Sequence, residues 1–387
     1  LRAAFDAAAH DGSDDDRDDD NDDDRALPVG FHSWPAGTAW PIAKHLVHTL
    51  ARHSDDVVVD PFSGAGTVGL AALTARRAFL GVDLNPLAAR VGFQRCRPRS
   101  DADAARVEAV VDAVTEASKE RVRKKRPSRA NVDDAVRAAY LPHTVMELAG
   151  LLEEITASDD DDARKLMAVC FSAILTKVSL KRGDTDGSSD AKTGANKKVG
   201  RFLPTELFQE KAHELLDAQR ALFQRVGLDV PRPRFVVDDA RNVGAHLDAG
   251  RRADVIVTSP PYGGTYDYAA HHAHRNAWLG LDDSALRATE IGARRRQRDA
   301  AAFDDDVRGV LAAVHDVLAA DGVAVVLIGD ADLAGLRVAA DEHLHSLAPA
   351  VGLRVVASAA APRPDWHRDR TGMATREEHL VALVRRR

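Results

Sequence analysis

The chain has 387 residues and a formal net charge of −7, yet residues 11–25 alone hold ten Asp and two Arg, a local −8 that leaves the rest at +1. This length can bury a substantial core, and a near-neutral body with local basic clusters is compatible with a nucleic-acid partner without demanding one. Cys96 and Cys170 are the only cysteines and stand in no metal-ligand spacing, and no apolar run approaches a membrane span. A structural metal and a membrane anchor are therefore not expected, and a reducing compartment, the cytoplasm, is. No signal-peptide pattern opens the chain, although a first residue of Leu leaves its true beginning open.

Residues 1–30 read as an acidic tail. Its Asp triplets repel one another and bury no apolar surface, which predicts disorder; mimicry of nucleic acid over a basic groove is the functional alternative. Phe31-His32-Ser33-Trp34-Pro35-Ala36-Gly37 then precede a helix through Ile42, Leu46, Val47 and Leu50. The run Val57-Val58-Val59 predicts a short buried strand. Asp60-Pro61-Phe62-Ser63-Gly64-Ala65-Gly66-Thr67 follows it, with a helix from Thr67. Gly64 and Gly66 let backbone N–H groups approach a ligand beside the positive end of that helix. The spacing is neither Gly-x-Gly-x-x-Gly nor a P-loop, because no Gly-Lys-Ser/Thr follows, so a triphosphate is poorly served. A second strand, residues 78–83, ends in Asp83, about 20 residues after the glycines, where doubly wound folds place an acid on ribose hydroxyls.

From about 100 to 232 β-branched runs are few, and helical stretches lie near 103–124, 143–157, 162–180 and 204–226. This reads as a helical insertion between the second and third core strands. It carries the basic run 119–126, with Arg123, Lys124 and Lys125, either a solvated helix face or a phosphate contact. Residues 181–198 read as a polar, mobile loop. The core resumes at 234–240, a third strand ending in Asp238 and Asp239. Asp254-Val255-Ile256-Val257-Thr258-Ser259-Pro260-Pro261-Tyr262 follows, a strand with a rigid turn at its end. Residues 290–298, with Arg294, Arg295 and Arg296, form a second basic segment that is either a solvated loop or a DNA contact. A strand over 323–328, a helix near 331–349 and late strands over 353–357 and 379–384 complete the pattern.

Residues 60–67 resemble the S-adenosylmethionine loop of class I amino-methyltransferases. Residues 259–262 resemble the (Asp/Asn/Ser)-Pro-Pro-Tyr motif of the enzymes in that class that methylate exocyclic amines of nucleic-acid bases. The resemblance covers roughly 31–96 and 234–387. It implies an α/β, Rossmann-like fold with a seven-stranded mixed sheet, interrupted by the insertion: a cofactor half over 31–99, a target-recognition region over 100–232 and a catalytic half over 233–387. It also implies S-adenosyl-L-methionine as cofactor, held by Phe31, Trp34, Asp60, Phe62, Ser63, Gly64, Gly66, Thr67 and Asp83, with Asp239, or alternatively Asp238, on the adenine. Phe31 and Trp34 equally suit ordinary core. Ser259, Pro260, Pro261 and Tyr262 are the catalytic residues that the resemblance implies.

A base amine is a poor nucleophile because its lone pair is delocalised, so it must be desolvated and held in line with the methyl. Two prolines fix the turn and leave the Pro260 carbonyl free to accept from the amine, Ser259 adds a second acceptor, and Tyr262 offers a face for an extruded base. C5-cytosine methylation needs a thiolate, and neither cysteine adjoins a strand-end Pro. In the relatives Ser at the first motif position leans towards cytosine N4, so double-stranded DNA with a flipped cytosine is the expected substrate, with a restriction nuclease as a partner to look for. The rivals are adenine-N6 methylation, RNA guanine-N2 methylation and an idle nucleic-acid-binding module.

Overall fold

A computed structural model of the chain describes residues 1–10, 24–35, 37–128, 132–180, 199–263, 267–293, 300–333, 336–362 and 377–386. The strands are β1 Val57–Asp60, β2 Ala78–Asp83, β3 Arg234–Val237, β4 Ala253–Thr258, β5 Leu318–Gly329, β6 Ala331–Leu333, β7 Leu336–Val338, β8 Leu353–Pro362 and β9 Glu377–Arg385. Seven form one sheet in the order β3-β2-β1-β4-β5-β9-β8, and β6 and β7 make a separate hairpin. The first five run parallel, while β9 is antiparallel to both β5 and β8. This is a Rossmann-like α/β fold with the seven-stranded mixed sheet that the sequence implies.

The centre of the sheet follows from composition. β1 is buried at all four positions, as expected of three β-branched residues in a parallel sheet covered on both faces. Its neighbours are β2 on one side and β4 on the other, so the strand order reverses there. In open α/β sheets a crevice forms outside the carboxyl ends of the strands at such a point. The helix Thr67–Thr74 begins after Gly66, whose φ of +84° is left-handed; a Cβ there would lie 2.8 Å from the Cα of Gly92. Gly66 is thus required twice, by its backbone and by close helix packing.

Beyond the helix Pro86–Arg95 that follows β2, the described residues before β3 form five helices: Asp101–Arg123, Asp134–Arg137, Pro142–Thr156, Asp161–Val178 and Leu203–Val226. They share a core of their own around Val107, Leu148, Phe171 and Leu215, to which Phe31, Val91 and Trp278 also belong. The bundle is stitched to the cofactor half by Gln219 and Arg99. Gln219 donates to the Gln94 carbonyl at 2.7 Å, and the fully buried Arg99 donates to Gln219 and, through both terminal nitrogens, to Asp162.

Three expectations need correction or restriction. The disordered tail over 1–30 does not describe its ends: Arg2–His10 is a helix with Ala4 and Phe5 buried, and Asp24 is buried. Asp24 accepts from Trp40 Nε1, Lys44 Nζ and Arg225 Nη1 at 2.6–2.8 Å, a triple partnership that tolerates a buried carboxylate. Residues 11–23, with most of the Asp run, lie outside the described residues, as do 181–198. The helix expected near 331–349 starts only at Ala340, because the buried Asp330 carboxylate accepts from the Ala340 N–H and the chain before it pairs as β6–β7. Among the described residues no helix is long and apolar enough to cross a membrane, and no His, Cys, Asp and Glu are grouped to hold a metal.

Candidate active site at the carboxyl ends of the strands

A cavity opens at the strand-order reversal. The loop after β1 supplies Asp60, Phe62, Ser63, Gly64 and Thr67, the end of β2 supplies Asp83, and the segment after β3 supplies Asp239. The loop is held by its own acids. Asp60 Oδ1 accepts from the Phe62 N–H at 3.0 Å and from Thr258 Oγ1 on β4 at 2.7 Å. Asp83 Oδ2 accepts from the Gly64 N–H at 2.9 Å and its Oδ1 from the Asn85 N–H at 2.8 Å. Burial pushes the Asp60 carboxyl up to about 7, against its two hydrogen bonds, and the Asp83 carboxyl up to about 6. Asp83 therefore acts first as a brace for the glycine turn, while still facing the cavity. Gly64 is left-handed at φ +47°, and a Cβ there would come 3.0 Å from Trp34 Nε1.

Of the two acids after β3, Asp239 lines the cavity, and Asp238 is turned to Asn242 and His246. Burial would raise the Asp239 carboxyl, but Arg241 donates to both its oxygens and holds it below the usual carboxylate range. Trp34 lines the cavity; Phe31 does not, being buried in the bundle core with the Arg95 guanidinium 5.9 Å from its ring. Trp34 is backed by the helix Tyr268–Trp278: its ring stacks on His272 at 4.2 Å, and the fully buried Arg275 donates to Ser33 Oγ and to the Ser172 carbonyl.

The turn after β4 brings Ser259 and Pro261 to the cavity wall, with Pro260 and Tyr262 set back from it. Tyr262 does not offer the open stacking face expected of it. It is 3 % exposed, its ring lies where a Cβ on Gly329 would be 2.8 Å away, and its hydroxyl donates to Glu378 Oε1 at 3.0 Å. Burial first, and the Glu378 charge second, push its phenol well above the ordinary value.

Sequence reasoning missed the opposite wall. Tyr268, Leu286, Thr289, Glu290 and Ile291 close the cavity, and Glu290 accepts from the Tyr268 and Ala269 N–H groups at the start of the helix Tyr268–Trp278. The available signal was the tyrosine-rich stretch after the turn, with Tyr268 six residues beyond Tyr262.

Arg123, Lys124 and Lys125 lie away from this cavity, at the end of the helix Asp101–Arg123. Lys124 pairs with Glu120 at 2.6 Å, and Arg123 sits 3.7 Å from Glu120 and 5.8 Å from the Phe202 ring. Lys125, at φ +53°, lines a separate groove with Arg126, His143, Met146 and Arg201. Arg294, Arg295 and Arg296 lie outside the described residues.

A family model described as DNA methylase, of the N6/N4 type, matches residues 30–93, which takes in the cofactor loop and leaves the turn after β4 outside. No curated protein sequence matches the chain. Among solved structures, the rRNA methyltransferase aviRa from Streptomyces viridochromogenes aligns over 95% of this chain and 94% of its own, at 14% identity and a TM-score of 0.37. TrmN from Thermus thermophilus aligns at 10% identity and a TM-score of 0.34; the match covers 94% of this chain and 53% of that one. Likenesses this distant carry no argument about substrate. The family match supports an amino-methyltransferase, with S-adenosylmethionine as methyl donor.

Proposed function

We propose that the protein methylates an exocyclic amine of a base in double-stranded DNA, cytosine N4 above others, with the target flipped out of the duplex. The observation that carries this reading is that Ser259 and Pro261 open into the same cavity as Asp60, Gly64, Asp83 and Asp239. The cavity fits the cofactor by a further sign: Ser63 Oγ and Asn85 Nδ2, both from residues lining it, are buried without a hydrogen-bond partner. Buried polar atoms of this kind call for a partner. Asp83 suits ribose hydroxyls, Asp239 the adenine amine, and Trp34 the methionine end. When bound, S-adenosylmethionine supplies an electrophilic methyl on a sulfonium sulfur.

The chain's own residues do the rest. Ser259, on the cavity wall, accepts from the base amine and fixes its direction, and positioning of this kind supplies much of the rate. With Tyr262 withdrawn, Tyr268 is the aromatic placed to stack on the base, a contact worth about 1–3 kcal/mol. Ser259 is a neutral acceptor, where adenine-directed relatives mostly carry an acid or amide, and this favours cytosine. Nucleoside mass spectrometry of DNA and RNA incubated with the purified protein and S-adenosylmethionine tests the reading. N4-methylcytosine is expected from DNA, and lost in Ser259→Ala and Tyr268→Ala proteins that still bind cofactor. N6-methyladenine alone would overturn the base, and methylation of RNA alone the substrate.

A further inference from the structure

Among the described residues, four acids line the cavity, and they do not stand alike. Asp60, Asp83 and Asp239 sit at or just past the carboxyl ends of β1, β2 and β3. The first two accept from backbone N–H groups of the cofactor loop, and Asp239 holds Arg241. Glu290 comes from the facing wall, the one that carries Tyr268, and is 2 % exposed. Two features fix it there. Its carboxylate accepts from the N–H groups of Tyr268 and Ala269, at 2.5 and 3.4 Å, and so holds the start of the helix Tyr268–Trp278. Two residues on, Gly292 is left-handed at φ +66°, and a Cβ there would lie 3.3 Å from the Pro261 carbonyl oxygen and 3.4 Å from the Cα of Gly263. Ile291, between them, packs in one core with Tyr262 and Phe303. The segment 290–292 is therefore seated on the backbone of the turn that carries Ser259.

An amine that gains a methyl group must lose a proton, and Ser259 is neutral where adenine-directed relatives mostly carry an acid or amide. We infer that Glu290 supplies the missing acid from the opposite wall: it accepts one N–H of the target amine while Ser259 accepts the other, and it takes the proton as the methyl arrives. This rests on the reading of the site as an amino-methyltransferase. A carboxylate has about four lone-pair sites, enough to hold a helix end and a ligand together, and a carboxylate is a fitting acceptor for cytosine N4. As the nitrogen–methyl bond forms, the methyl–sulfur bond breaks and its electron pair stays on sulfur. The pair of the broken N–H bond stays on nitrogen, and the proton moves to a Glu290 oxygen, from which solvent takes it once the product leaves. Because the same carboxylate anchors the Tyr268 N–H, the stacking ring and the acceptor are set together.

The test is single-turnover methylation of DNA and of RNA by the full chain, with cofactor affinity read by calorimetry and folding by thermal melts. Glu290→Gln keeps an oxygen for the helix N–H groups but cannot take the proton. Transfer should slow on the order of a hundredfold, as loss of a general base does, at unchanged cofactor affinity. Glu290→Asp, with the acid on a shorter arm, should lie between the two. Adding Ser259→Asp to Glu290→Gln returns an acid to the turn and should recover part of the rate, which a helix cap alone would not allow. The same addition to Glu290→Asp serves where Glu290→Gln does not fold. A wild type inactive on both nucleic acids would overturn the methyltransferase reading and the role of Glu290 with it. An active wild type whose rate survives Glu290→Gln, or a loss that Ser259→Asp leaves unrecovered, would overturn the role of Glu290 alone.

Discussion

Asp60 shows how one buried acid couples the site to pH. Its folded-state carboxyl titrates at about 7 because burial raises it from the ordinary 3.8. A group protonated more readily in the folded state stabilises fully below its unfolded value, and that contribution is lost as pH rises through the folded value. Wild-type melting temperature should therefore fall between about pH 4 and pH 7 relative to Asp60→Asn, whose amide oxygen still accepts from Phe62 and Thr258. Parallel pH profiles in thermal melts would show that Asp60 is ionised throughout. What was legible at this scale is which side chains meet: Asp60, Gly64, Asp83, Asp239 and Ser259, singled out from the sequence, all line the cavity. The set of Tyr262 was not, because it depends on Gly329 and on Glu378, 116 residues away, and sequence adjacency carries no information about such a contact.

At the scale of elements, the basic end of the helix Asp101–Arg123 divides. Lys119 and Lys124 are satisfied by glutamates one turn away, and Arg121 by Glu153 and Glu154. Lys125, Arg126 and Arg201 have no carboxylate among the described residues and share a groove. The helix Leu203–Val226 runs about 36 Å at 1.5 Å per residue, and its far end is tied to Arg76, just before β2. Replacing Lys125, Arg126 and Arg201 with Ala should weaken nucleic-acid binding on all sequences alike and lower the salt slope by roughly one unit per lost contact. An unmoved slope in fluorescence anisotropy would leave the groove a solvated face. Helix positions in this region were readable from periodicity, but which cations are neutralised depends on glutamates of neighbouring helices.

At the scale of the whole molecule, the seven-stranded sheet is assembled from two stretches of chain. β2 and β3 lie side by side, with the Asp238 N–H donating to the Asp83 carbonyl at 3.2 Å, yet all of residues 84–233 intervene. The seven-stranded mixed sheet was legible through the resemblance. The packing of Phe31 and Trp278 into the bundle core was not, since both come from outside the insertion. Closing so long a loop in an unstructured chain costs entropy that grows with its length, and distant pairings form slowly. Here the intervening chain has a core of its own, which shortens the effective distance before β3 arrives. Pulse-labelled hydrogen exchange during refolding should find amides of 101–226 protected ahead of those of 234–237, whereas simultaneous protection would mean a single cooperative unit. On a ribosome the consequence is temporal: the glycine turn and its brace are complete while β3, the outer neighbour of β2, is still unmade, so the nascent protein exposes that sheet edge until the chain beyond the bundle emerges.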